Sequence, residues 1–206
     1  MKILLTPLKN ETSFSKTLAM TIFIGVMTIV LVLNVQKSND MVILSVGNFL
    51  GGIGNDIFLI ISNLIIISWA WRKRLKSVIK LTLLLDLLVW VFVQGIKLTK
   101  IEPWYLRPNG GTGGFPSGHA THAFAMAFLL TLFFPRFSWL WYACAVAISW
   151  SRVETDWHNG FQVAAGITLG VGLVWVLASK WLTHPDAAKI IEQEQNIEVR
   201  QSYIAG

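Results

Sequence analysis

The chain has 206 residues, 54% of them hydrophobic and only 14% charged, with a net charge of +6. A soluble domain carries about 25% charged residues, so an ordinary water-soluble enzyme is excluded, and the single cysteine, Cys144, excludes a disulfide framework within the chain. The positive charge comes without a basic arm, zinc-ligand spacing or aromatic RNA-binding pattern, so nucleic acid is not an expected partner.

Six apolar blocks run roughly over 17–35, 56–71, 78–99, 118–135, 137–151 and 161–182. A membrane span takes about 20 residues. The first, third, fourth and sixth blocks reach that length directly, and the second and fifth borrow flanking residues. Lys9 and Lys16 precede the first block, but no small-residue cleavage pattern follows it, so it reads as an uncleaved span. Segment 41–53 is apolar but too short to cross and is expected to lie at the interface. The expected fold is all-α, a six-helix transmembrane bundle over 17–182. A cytoplasmic segment (1–16) precedes it and a cytoplasmic tail (183–206) follows.

Orientation follows from the basic residues. Arg72, Lys73, Arg74 and Lys76 cluster after the second block, and basic side chains concentrate on the cytoplasmic side of membrane proteins. Both termini are then cytoplasmic, and the segments 100–117 and 152–160 face outward. A bacterial inner membrane is the expected location, with an active site facing the periplasm or exterior.

Those outer segments hold most of the unusual polar residues. The first reads KIEPWYLRPNGGTGGFPSGH, from Lys100 to His119, and the second SRVETDWHNGFQ, from Ser151 to Gln162. Lys100, Arg107 and Arg152 can neutralise the charge spread over a phosphoryl group in transfer. Ser117 and Gly118 open a helix whose backbone N–H groups can face an anion. One of the imidazoles His119 and His158 can attack phosphorus while the other protonates the departing alkoxide. This chemistry requires no metal or other cofactor, and the chain has no Walker-type phosphate loop.

Lys100-x6-Arg107-Pro108, Pro116-Ser117-Gly118-His119 and Ser151-Arg152-x5-His158, in that order, resemble the three signature motifs of the type-2 phosphatidic acid phosphatase superfamily. The resemblance implies that His158 is the nucleophile, forming a phosphohistidine, and His119 the general acid. It also implies that Lys100, Arg107, Ser117, Gly118 and Arg152 hold the phosphate. The substrate would be a phosphomonoester or pyrophosphate of a lipid, such as phosphatidic acid, phosphatidylglycerophosphate, undecaprenyl pyrophosphate or phosphorylated lipid A. Membrane lipids are then the natural surroundings of the reaction.

One residue departs from the motif. Gln162 stands where the family carries an aspartate that fixes the nucleophile's tautomer. Glutamine can accept a hydrogen bond from imidazole but supplies no charge, and Asp156 or Glu154 are substitutes from the same loop. The departure keeps two alternatives open, a lipid phosphotransferase and a catalytically impaired lipid-binding protein.

The remaining polar residues have simpler readings. His119 and His122 sit three apart without further metal ligands. Asp86, within the third span, is expected to face the bundle interior. The run Gly110–Gly114 reads equally as a lid or a slack connector.

Overall fold

The computed structural model describes residues 2–189, so the expected tail lies outside the described residues from 190 to 206. The regular structure of the described residues is helical: α1 (Lys2–Leu33), α2 (Met41–Phe49), α3 (Asn55–Arg72), α4 (Lys76–Leu98), α5 (Gly118–Phe133), α6 (Ser138–Glu154) and α7 (Gly160–Trp181). Four stretches are long and apolar enough to cross a membrane: Ser13–Leu33, Met41–Arg72, Lys76–Leu98 and Gly160–Trp181. Their outward faces carry large apolar side chains such as Phe23, Leu64, Trp90 and Trp175, each at least half exposed. Such surface suits lipid rather than water. α5 and α6 have 16 and 17 residues, at or below the short end of what a span needs.

Segment 41–53 differs from expectation. Rather than a separate interfacial piece, it forms α2 and runs through a π-helical turn, Leu50–Gly54, directly into α3. Asp40 starts α2 by accepting hydrogen bonds from the backbone of Val42 and Ile43, satisfying donors a helix start leaves free. The turn reads LGGIG, and Gly52 takes non-helical angles (φ −113°, ψ −109°) inside it. The glycines let the chain bend without breaking its apolar run.

α5 is the axis of the bundle. Every residue from Ala123 to Leu130 is fully buried, and α3, α4, α6, α7 and part of α1 surround it. Lipid tails are as apolar as the helix faces, so close packing holds such helices together. α7 supplies Gly166 and Gly170 for this purpose. A Cβ on Gly166 would come 2.5 Å from the Ser117 carbonyl oxygen, and one on Gly170 would meet the Thr121 carbonyl. The two bare positions, four apart, let α7 lie against the start of α5. That contact determines where the loop before α7 sits relative to the PSGH turn.

Polar clasps tie the ends of the bundle. Lys37 pairs with Asp156, and the Ser38 N–H donates to Glu154 at 2.8 Å. At the opposite end Ser77 donates to Asp186 at 2.7 Å and accepts from the Trp181 indole at 3.0 Å. Asp156 and Glu154 are thereby engaged with the α1–α2 connection, and neither is recorded bonding to His158.

Candidate active site

The C-terminal ends of α4 and α6, the first turn of α5 and the 99–117 and 155–159 connections converge on one cluster. His158 lies in the short α6–α7 connection and is only 2% exposed. Its backbone N–H donates to the Arg152 carbonyl at 2.9 Å, which folds the connection back over the end of α6. Its Nδ1 lies 2.7 Å from the Gly114 carbonyl oxygen. A carbonyl has no hydrogen to give, so Nδ1 carries the proton and Nε2 keeps a free lone pair. Burial, reinforced by the positive charges of Arg152, Arg107 and Lys97, lowers the His158 pKa to about 3. The ring is therefore neutral near pH 7, as a nucleophile must be.

The two arginines flank this histidine's neighbour. Their guanidinium carbons lie 5.1 Å (Arg107) and 5.2 Å (Arg152) from the centre of the Trp157 ring, within cation–π range. Arg152 is 5% exposed, and its Nη1 donates to the Gly51 carbonyl at 2.6 Å. One arm of this cation thus secures the α2–α3 turn. The Nε atoms of both arginines are buried without a partner, as is the Ser117 hydroxyl. Buried donors are nearly always satisfied in native proteins, so three unpartnered polar groups on residues of this cluster are the kind an anion's oxygens would satisfy.

Ser117 and Gly118 begin α5 as the sequence indicates, but their roles differ. The Ser117 N–H donates to the Gln162 carbonyl at 2.9 Å and is not free for a ligand. Its side chain does not cap the helix, which leaves the first-turn N–H groups from Gly118 onward without a side-chain acceptor. His119 follows in that first turn. His122 lies one turn further in, with its Nε2 3.8 Å from an Asp86 carboxylate oxygen. Among the described residues no three His, Cys, Asp or Glu are grouped to hold a metal.

The lysine of the first motif is not where its spacing implies. Lys100 follows the end of α4 with a positive φ of 50° and an exposed side chain. Lys97, in the last turn of α4, turns inward. It lines a cavity of about 230 Å³ with Asn55, Asp56, Gln94, His119 and His122. Its aliphatic stem also lies under Gly113. The helical phase explains the difference, because residues three apart past a helix end no longer share a face. Lys97 was legible as a polar residue in an apolar span, a signal that the motif spacing outweighed.

Gln162 is fully buried, and its side chain bonds to groups other than His158. Its Oε1 accepts from the Asn159 N–H at 3.0 Å, completing a reciprocal cap at the start of α7. Its Nε2 donates to the carbonyls of Trp104 and Leu106, both at 2.7 Å. The expected imidazole contact is replaced because both amide hydrogens serve the 104–106 segment. The glycine run forms a hydrogen-bonded turn, with the Arg107 N–H donating to the Gly111 carbonyl and the Gly110 N–H to the Arg107 carbonyl. Gly110 and Gly113 take positive φ values of 82° and 69°, which suit glycine. The Gly114 N–H is tied to the Tyr105 carbonyl at 2.8 Å. Trp104, Phe115 and Phe161 stack over this turn with ring centres 5.1–6.1 Å apart.

Comparison with known proteins agrees with the motif reading. Residues 94–185 match the family model of the PAP2 superfamily. The bacitracin transport permease protein BcrC of Bacillus licheniformis is 42% identical over 86 residues, covering 38% of this chain and 42% of that protein. The match therefore spans less than half of the relative's length. No solved structure matches the chain. The stretch from 94 to 185, which carries both histidines and every cation of the cluster, is the part of the chain that is similar to the PAP2 superfamily.

Proposed function

We propose that the protein is an integral membrane phosphatase that removes a phosphate from a lipid, working at the extracytoplasmic face through a phosphohistidine on His158. The single observation that carries this reading is the buried His158 ring, bonded through Nδ1 to Gly114 and set among Arg107, Arg152 and Lys97. A neutral imidazole with one free nitrogen, surrounded by cations, is the arrangement a phosphoryl group needs for attack at phosphorus.

The Nε2 lone pair of His158 forms a bond to phosphorus as the ester P–O bond breaks. His119 enters the step as an imidazolium and passes its proton to the departing alkoxide, so the lipid leaves as a neutral alcohol and His119 as a neutral imidazole. Water then attacks the phosphorus, the N–P electrons return to Nε2, and His119 recovers a proton from the water. Arg107, Arg152, the Ser117 hydroxyl and the Gly118 N–H hold the phosphoryl oxygens. We assign the lysine of this cradle to Lys97, since Lys100 points to solvent. A pyrophosphate substrate follows the same steps with a lipid monophosphate as leaving group.

Six crossings, with α2 and α3 as one bent span, bring both termini to the cytoplasmic side and the cluster to the outside. The relative's name describes a permease. The polar groups here gather near one end of the bundle rather than along its midplane, which favours catalysis at the interface over a transport path.

Phosphate release by the purified protein in detergent, from a panel of lipid phosphates and pyrophosphates, tests the reading. Turnover that disappears in His158→Ala supports it, whereas wild-type protein inert toward the whole panel would count against a hydrolase. Release that depends on an added lipid acceptor would identify a phosphotransferase.

A further inference from the structure

We propose that the Gly114 carbonyl does the work of the family's aspartate, holding the His158 imidazole for attack, and that Gln162 is a positioning residue acting through the segment that carries this carbonyl. The proposal rests on the phosphatase reading for its kinetic consequence, but its geometry stands apart from it.

All of Gln162's polar groups are committed elsewhere. Its side-chain oxygen accepts from Asn159, its backbone N–H donates to the Asn159 side chain at 2.9 Å, and its backbone carbonyl accepts from Ser117. The two amide hydrogens go to Trp104 and Leu106. Between those residues, the Tyr105 carbonyl accepts the Gly114 N–H. Gln162 thus grips the backbone on either side of the group that anchors Gly114, and Gly114 in turn holds His158. The segments fit tightly: a Cβ on Gly114 would come 2.9 Å from Gln162 Cδ and 3.0 Å from the Leu106 oxygen.

This arrangement reverses the usual expectation for restoring a motif residue. A carboxylate at position 162 has no hydrogens to give, and it would face two carbonyl oxygens in a buried site. Leaving buried acceptors opposed to one another costs more than the hydrogen bonds themselves contribute. An aspartate is also one methylene shorter than glutamine. Replacing Gln162 by the family's residue therefore loosens the 104–106 segment, shifts Gly114 and frees the imidazole from its single tautomer. The carbonyl fixes the tautomer by accepting from Nδ1–H, although it carries no full charge to stabilise the cation that develops on the ring.

The test is the protonation pattern of His158 by 15N NMR in detergent, using protein labelled only at histidine. The chain has four histidines, and loss of one signal in His158→Ala identifies the resonance. At pH 7 the expected signal is neutral imidazole with Nδ1 protonated and Nε2 bare. An Nε2–H tautomer or an imidazolium would overturn the proposal. In the kinetic arm, Gln162→Asp is expected to lower kcat by about a hundredfold, the scale of a misplaced catalytic group, with KM changed much less. The same variant should show a mixed His158 tautomer. Activity equal to or above wild type in Gln162→Asp would overturn the positioning role. If that variant does not fold, the wild-type spectrum still decides the tautomer. If wild-type protein hydrolyses no lipid phosphate, the phosphatase reading falls while the spectrum still tests the Gly114 contact.

Discussion

A histidine buried among positive charges carries consequences that single substitutions can measure. His158→Ala removes the proposed nucleophile, so phosphate release should fall to background in a malachite-green assay. The two lysines separate more finely. Lys97→Met is expected to lower kcat/KM by about 10²–10³, the usual effect of deleting one group that stabilises transition-state charge, whereas Lys100→Met should stay within about twofold. The reverse ranking would return the cradle to Lys100. The pH dependence of stability has a definite sign. The pKa of His158 is about 3 in the folded protein against an ordinary 6.5, so between those values the unfolded chain binds a proton that the native state does not. This contribution to stability is complete above pH 6.5 and is lost as pH falls toward 3. The thermal midpoint in detergent should fall between pH 7.5 and 5, and His158→Gln should flatten that fall.

The elements matter through how closely they approach. α7 follows His158 after one residue, and its bare face at Gly166 and Gly170 rests on the carbonyls of Ser117 and Thr121. Gly172, two residues further along the same helix, has nothing within 4 Å of where a Cβ would sit. Gly170→Ala should therefore cost about 1–3 kcal/mol, as overpacking does, and reduce activity by moving the α6–α7 connection away from α5. Gly172→Ala should be neutral or slightly stabilising, because alanine favours helix over glycine. Comparing the two thermal midpoints removes composition as an explanation. The bond from Arg152 to Gly51 gives a second link of this kind, joining the α2–α3 turn to the end of α6 that carries the Arg152 charge.

At the scale of the molecule, the candidate site and the basic cluster at Arg72–Lys76 lie at opposite ends of the helices. Replacing Cys144, the chain's one cysteine, leaves a background for single-cysteine labelling. Asn109→Cys should react with an impermeant thiol reagent added outside intact cells, and Lys73→Cys only after permeabilisation. Labelling of both from the same side would contradict the bundle's arrangement across the membrane.

Hydropathy blocks and motif spacing were enough to indicate an all-helical membrane chain and its likeness to the PAP2 superfamily over 94–185, because span length and motif order are one-dimensional properties. They also marked both histidines and the arginines. The partnership of α2 with α3 was not legible, since a π turn of glycines carries no hydropathy break. Neither was the inward turn of Lys97, which depends on helical phase at the point where α4 ends. The role of Gln162 was furthest from reach. Read in sequence it stands four residues after a histidine and looks like that histidine's partner. Only the folded chain shows that its amide hydrogens are taken by Trp104 and Leu106, 58 and 56 residues away, and that Gly114 holds the ring instead. A hydrogen bond is made by whichever group arrives within 3 Å at the right angle, and for groups so distant along the chain only tertiary packing determines which one that is.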